Sequence, residues 1–441
     1  MIKIFSDKSN IYKRLHYHIK NNNMLANEQC GFRINSSTEI ASCNLINKTL
    51  KALNNKMRDG GIFYDLTKAF DYVNHNILLS KLEFYSITGR ANNLIISYWN
   101  DRYQRVLIKN KYSKNCFSEW GKVKQGVPQG SILGPLFFLL YINDLPGVIN
   151  DISKPTIFAD DTNIIFTHSN LTDFKDQINI VIEKMSNWFQ INSLILNFNK
   201  THYIQFMAKS KPEVVAHITY KDNPIDITSC TNFLGLTLDS TLSWKTHINQ
   251  LSSKLNTACY IIRSLKSVIS TRNLRTIYFS YVHSIIAYGI IFWGNSYHSS
   301  NNFKLQKRAI RIIMNVDNRV SCHELFKKLN ILPLHSQYIL SLLLFVVKNI
   351  EQFISNSAVH SINTRYRSDL YPPSIKLTKY KKGVYYFGIK IFNHLPQNIK
   401  NLSWIVKKFK LALKRFHWMG SLYTLYENFE WISRSDLGTF M

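Results

Sequence analysis

Over roughly the first half of the chain, apolar residues come in short blocks or alternate with polar ones; after Trp244 they recur at helical spacing. Helical periodicity marks residues 10–20 and 39–58, and the segment EQCGFRINSS between them reads as a loop. GIFYDL (61–66) is a compact strand, followed by helical spacing through Leu78, Leu79 and Leu82. Strands are expected at 104–109 and 116–123, with KNKYSKN as the turn between them. After the breakers Pro128 and Gly130, Ser131 is placed to cap an apolar helix, SILGPLFFLLYINDL. Strands flank residues 160–161, a helix covers about 171–193, and further strands are expected at 202–206 and 232–238. The pattern is α+β in its first half and α-rich in its second. ILSLLLFVV (339–347) is too short to cross a bilayer, and YFSYVHSIIAYGIIFW (278–293) is interrupted by Ser and His, so both read as buried helices and no membrane partner is expected.

Charge adds a partner class to this picture. The 441 residues carry 55 Lys+Arg against 27 Asp+Glu, a formal net charge of +28, which attracts polyanions and nucleic acid above all. Lys-, Asn- and Ile-rich usage inflates such a balance, so the charge needs a site to give it meaning. The six cysteines are scattered with no C-x-x-C pair, which argues against a zinc knuckle and against a disulfide framework. The 14 histidines form no H-E-x-x-H or similar cluster. The N-terminus lacks an apolar core of signal-peptide length. Together these features predict an intracellular protein, nuclear or cytoplasmic and not secreted.

The stretch FADDTNIIFT (158–167) puts Asp160 and Asp161 side by side at a hairpin tip. Successive strand residues point to opposite faces, so the two cannot hold one metal in the same way. One is expected to project into a site while the other supports it or reaches a second ion. Asp65, ending the strand GIFYDL within YDLTKAFDYVNH, is placed to join them from a neighbouring strand. Mg²⁺ prefers few carboxylates, several waters and phosphate oxygens, and two such ions can activate a 3′-hydroxyl and stabilise leaving pyrophosphate. Between these aspartates, VKQGVPQGS holds Gly126, Pro128 and Gly130 in a tight loop where backbone can approach a flat ligand, with Gln129 offering both a donor and an acceptor.

In the order GFR, FYDLTKAFD, GVPQGS, FADD, LNFNKT and NFLGLTLD, the chain resembles the fingers–palm core of a reverse transcriptase, specifically the Jockey-like group of non-LTR retrotransposons. The likeness runs from about residue 3 to the end. It implies a right-hand polymerase fold, with partial fingers in 1–60, an antiparallel-sheet palm with the remaining fingers in 61–238, a helical thumb-like region in 239–330 and an α-rich C-terminal domain in 331–441. By the resemblance, Asp65 is the first metal-binding aspartate and Asp160 and Asp161 the paired ones, with Phe158 replacing the usual tyrosine before the pair. Phe70 matches the residue that screens the sugar 2′ position, or is an ordinary core aromatic. Gln129, beside Gly130, resembles the glutamine that contacts nucleotide or template. Lys200 matches a lysine that protonates departing pyrophosphate, and Arg33 a fingers arginine near substrate or template phosphates. CTNFLGLTLDSTLSWKTHI (230–248) resembles the palm–thumb junction that positions the primer, with Gly235 allowing close approach.

The implied activity is RNA-directed DNA synthesis with two Mg²⁺ ions (Mn²⁺ as the alternative), an RNA template, a DNA primer and deoxynucleoside triphosphates. Two rivals are a nucleic-acid-binding remnant without catalysis and a templated polymerase with RNA as its product, against which Phe70 argues. The chain starts just upstream of GFR, where full-length members of the family carry an endonuclease and further fingers; it is therefore expected to be N-terminally truncated and to need an endonuclease in trans for retrotransposition. In the second half, Lys304, Lys307, Arg308 and Arg311 share one helical face, and Lys407, Lys410 and Lys414 lie opposite Phe409, Leu413 and Phe416. Both stripes are either solvated faces of amphipathic helices or phosphate-tracking surfaces. The tyrosines of 366–396 are expected to pack within a small domain rather than to stack on bases.

Overall fold

The structure, a computed structural model, describes residues 2–100, 102–109, 115–208, 218–220, 223–359 and 369–420. The middle of the KNKYSKN turn, residues 366–368 and the side chain of Phe416 lie outside the described set. The chain forms two compact units, one of residues 1–45 and 56–229, the other of 46–55 and 230–441. Residues 28–30, just before GFR, pair with the edge of the first unit's sheet, and residues 230–441 fall within the second unit.

The first unit is built on a five-stranded sheet, in spatial order β11-β8-β1-β7-β6. Its centre is β1 (Arg58–Tyr64), in which Asp59 to Tyr64 are all buried. Such a continuous buried run is what a strand covered on both faces requires. It pairs antiparallel with β7 (Asp161–His168) and β8 (His202–Phe206). β6 (Lys154–Phe158) lies beyond β7, and β11 (Asp226–Ile227) lies parallel beyond β8. On the free side of β6, Gln29 bridges Ile157 in parallel: the N–H of Cys30 donates to the Ile157 carbonyl (2.7 Å), and the N–H of Ile157 to that of Glu28 (3.0 Å).

Helices supply the rest of the core: α3 (His75–Phe84), α5 (Gly134–Ile142) and α7 (Leu171–Ile191) bury Leu78, Phe137, Phe138 and Val181 against Ile62 and Phe166, all at 0% exposure. Each such side chain contributes roughly 1.5–3 kcal/mol. Around these lie α1 (Ile2–Asn21), α2 (Thr38–Asn54), which passes from the first unit into the second, α4 (Gly89–Trp99) and α6 (Leu145–Ile149). Ser131 does not cap α5. Its Oγ accepts the N–H of Gly134 (2.9 Å), tightening a turn three residues ahead of the helix, which begins at Gly134 with Pro135 in its first turn.

The two strands expected at 104–109 and 116–123 are fragments. β2 (Tyr103–Gln104) pairs with β5 (Gly121–Lys122), and β3 (Leu107–Ile108) with β4 (Cys116–Phe117). A further two-residue pair is β9 (Thr219–Tyr220) with β10 (Asn223–Pro224). In the second unit the strand expected at 232–238 is a hairpin of β12 (Cys230–Phe233) and β13 (Leu236–Asp239). Leu234 and Gly235 turn it with positive φ (45° and 77°), as a two-residue primed turn demands. Helices follow: α8 (Lys245–Leu265) packs on Ser299–Met314, and Leu334–Lys348 packs on Val384–Asn393 and Val406–Gly420. Tyr380 is buried here and Tyr385 packs its ring 4.9 Å from Phe353, so these tyrosines serve packing. No helix among the described residues is long and apolar enough to cross a membrane.

Candidate active site

The β1–β7 register sets the carboxylates. Tyr64 stands opposite Thr162, the last pair of the ladder, so one step further Asp65 comes opposite Asp161. In the β6–β7 hairpin Phe158 pairs with Asp161, which leaves Ala159 and Asp160 as a two-residue turn. Ala159 takes a left-handed conformation (φ 56°), unusual for a residue with a Cβ. Asp65 is clamped through its backbone: its N–H donates to Thr201 Oγ1 (3.2 Å), and its carbonyl accepts from the N–H of Asn197 (2.8 Å). The three aspartates that sequence brought forward from separate segments therefore meet at one end of the sheet.

Their charges interact. Asp161 titrates at about 6 rather than in the ordinary carboxylate range, because packing around its carboxyl disfavours the ion and the negative charges of Asp160 and Asp65 oppose it further. Lys200 comes from the same 195–201 segment that clamps Asp65, and its Nζ lies 3.8 Å from Asp65 Oδ2. With 69% of its side chain exposed, this ion pair contributes little to stability.

Two loops, residues 70–75 and 126–131, are tied together. The N–H groups of Gly126 and Val127 donate to the carbonyls of Val73 and Phe70 (2.8 Å each), and His75 Nε2 lies 2.9 Å from the Gly126 carbonyl. These bonds fasten GVPQGS to the segment that follows Asp65. A Cβ on Gly126 (φ 88°) would lie 2.8 Å from the Asp71 carbonyl oxygen, so glycine is required there. Gly130 (φ 74°) has open space around it. Gln129 is exposed, donates to Asp71 Oδ1 (3.2 Å), and lines a polar cleft of about 460 Å³ with Asp71, Arg102 and Gln104. Phe70 is half-buried, stacked on Phe138 with centroids 4.2 Å apart and edge-on to Phe32 at 6.3 Å, so both of its readings keep support.

Arg33 follows Gly31 by two residues. Its guanidinium donates to the Ala26 carbonyl (2.8 Å), and it lines a hollow of about 670 Å³ with Glu28, Asn143 and Asp144, to which none of the three aspartates contributes. Of the first stripe, Arg311 donates to the Val320 carbonyl (2.8 Å) and Arg308 to Asn256 Oδ1 (3.4 Å), while Lys304 is exposed and Lys307 lies over the Phe303 ring at 4.8 Å. Of the second, Lys407 and Lys410 are exposed opposite the buried Phe409 and Leu413; Lys414 is half-buried, and burial and then Lys410 lower its basicity.

Sequence reasoning missed three features. Asp71, the partner of Gln129, sits inside the quoted FYDLTKAFD and was read only as part of the motif. Arg105 lies between Phe117 and Trp120, with its guanidinium carbon 4.2 and 4.6 Å from their ring centroids, and both rings are exposed. Its signal was the interleaving of arginines and aromatics in 102–120. Gln29, two residues before Gly31, contacts the Ala159 turn and carried no pattern at all.

Among the described residues no set of three His, Cys, Asp or Glu side chains closes into metal-ligand geometry. The donors present are nonetheless those a hard cation takes. Mg²⁺ needs only one or two protein carboxylates beside substrate phosphates, and the mutual repulsion felt at Asp161 is what a divalent cation would relieve.

Residues 5–238 match the family described as "Reverse transcriptase (RNA-dependent DNA polymerase)". The chain belongs to that family, a class of polymerases with a right-hand fold that depend on divalent metal. Within it the chain stands with the jockey-like enzymes of non-LTR retrotransposons. It is 28% identical over 352 residues to a probable RNA-directed DNA polymerase from transposon BS of Drosophila melanogaster, covering 76% of this chain and 38% of that protein. It is 25% identical over 251 residues to the RNA-directed DNA polymerase from mobile element jockey of Drosophila funebris, covering 56% of this chain and 26% of that one. The chain thus spans well under half the length of these relatives. Among solved structures, telomerase from Candida tropicalis in complex with a telomeric RNA fragment aligns over 97% of this chain and 56% of its own, with 14% identity and a TM-score of 0.41.

Proposed function

We propose that this chain extends a primer 3′-hydroxyl on an RNA template with deoxynucleoside triphosphates. The observation that carries the reading is the meeting of Asp65, opposite Asp161, with Asp160 on the adjoining turn. Two Mg²⁺ ions, or Mn²⁺ in their place, would supply activation of the 3′-hydroxyl and charge neutralisation at the leaving pyrophosphate. Asp65, Asp160 and Asp161 are the residues that would hold these ions. Lys200, 3.8 Å from Asp65, is placed to give a proton to departing pyrophosphate. Phe70, stacked on Phe138, is the residue we assign to excluding a sugar 2′-hydroxyl. Gln129 and its loop, tied to residues 70–73, bear on the nucleotide or template. The exposed lysines of both stripes track backbone phosphate.

The test is primer extension by purified protein on a primed RNA template with Mg²⁺ and four deoxynucleotides, with Asp160→Asn beside it. Extension by the wild type and a loss of at least about 10³-fold in the variant supports the reading. No extension by either protein, with template-primer still bound, selects the binding remnant instead.

A further inference from the structure

The turn that carries Asp160 is held by a side chain far away in sequence. Gln29 is 2% exposed, and its Oε1 accepts two backbone N–H groups at once, from Gly31 (2.7 Å) and from Ala159 (3.2 Å). Both partners are donors, so the amide orientation is fixed with oxygen toward the turn. Its Nε2 is buried and has no hydrogen-bond partner among the described residues. A residue serving only to fill this space would be apolar, because a buried amide left half unpaired costs stability. What the amide supplies is the acceptor. Ala159 needs it: its left-handed backbone is disfavoured by its Cβ, and a free chain would relax it. The ladder from residues 28–30 to Ile157 brings Gln29 to this place, and the Gly31 α-carbon packs directly against the Ala159 nitrogen.

We propose that Gln29 is a positioning residue for the carboxylates: by pinning Ala159 in its left-handed conformation it fixes the direction in which the turn presents Asp160 and Asp161. This rests on the polymerase reading above for its consequence, though not for its geometry. Gln29→Met keeps length and volume and removes the acceptor. It should speed hydrogen exchange in the peptide covering residues 157–162 by about tenfold and lower the extension rate by a similar factor. Half-saturating Mg²⁺ should rise as well. Glycine adopts positive φ freely, so in an Ala159→Gly background the same substitution should cost no more than about threefold. Unchanged exchange and unchanged Mg²⁺ dependence in Gln29→Met would overturn the proposal. So would equal losses in both backgrounds, the mark of packing alone. A wild type that extends nothing, yet whose turn exchanges faster in Gln29→Met, keeps the lock and removes the polymerase reading.

Discussion

Gly31→Ala adds one carbon at the tightest approach in the candidate site. A Cβ there would lie 2.3 Å from the Ala159 nitrogen and 3.0 Å from both the Ala159 α-carbon and the Phe158 carbonyl carbon. All three are backbone atoms, so no side chain can swing aside. Ordinary van der Waals contact begins near 3.4 Å, and the shortfall at the nitrogen is 3.4 − 2.3, or about 1.1 Å. Either the 28–31 segment lifts from β6 or the turn bearing Asp160 moves by about that distance. Overpacking of this kind costs about 1–3 kcal/mol in stability. A displacement of about 1 Å at reacting groups lowers rate by about 100-fold. The loss in extension should therefore exceed what the stability change explains at a temperature where the variant is folded. The assay pairs thermal melting with single-nucleotide extension at saturating template-primer. A Gly31→Ala protein that extends within twofold of wild type would refute the argument, since it would show that the contact between Gly31 and the turn does not govern the carboxylates.

Phe70→Ala should lower discrimination between deoxy- and ribonucleotides by roughly 10- to 100-fold and cost about 2 kcal/mol through lost contact with Phe138; unchanged sugar selectivity would leave Phe70 a core aromatic. His247, 3% exposed, accepts the N–H of Thr237 on Nδ1 (3.3 Å), and its Nε2 has no partner among the described residues. Burial, then Lys254, depress it from 6.5 to about 4, so the unfolded chain takes up a proton that the folded one refuses between those values. Stability should fall by up to about 3 kcal/mol as pH drops from 6.5 to 4, and His247→Leu should flatten that slope in denaturant titrations; parallel slopes would exclude His247 as the cause. Removing the charges of Lys304, Lys407 and Lys410 together should reduce the slope of log affinity against log salt by about 2–3, and an unchanged slope would make these faces merely solvated.

Much of the site was legible because its chemistry and its geometry share one local pattern. Asp65 ends an apolar run that could only be a buried strand, and Asp160–Asp161 sits between two runs that form a hairpin. The GVPQGS loop was legible for its glycines, one of which has no room for a Cβ. Elements set by tertiary context were not. Helix α4 opens on Gly89 with Asn92 and Asn93 soon after, and is stabilised by burial of Ile95 and Trp99 and by the bond from the buried Asn92 to Glu83 Oε1 (2.7 Å). The run at 232–238 read as one strand because its central Leu234 is apolar; only Gly235 beside it hinted at a turn. Arg33 lies in a charged, recognisable motif, yet its guanidinium serves the Ala26 carbonyl. Gln29 was invisible, because its partner Ala159 lies in a different part of the chain and nothing in the local pattern records the contact.

The short ladder on the outer side of β6 also bears on how the protein behaves in company. An uncovered edge strand offers unpaired N–H and C=O groups to any other extended chain, and β6, with Pro155, Thr156 and Ile157 buried, is apolar enough to be adhesive. Residues 28–30 occupy that edge and shield it from self-association. Because the shield is drawn from near the N-terminus while β6 lies more than 100 residues later, the edge stays open during folding until two distant segments meet. Mutations that loosen the 28–31 segment should therefore also raise aggregation during expression.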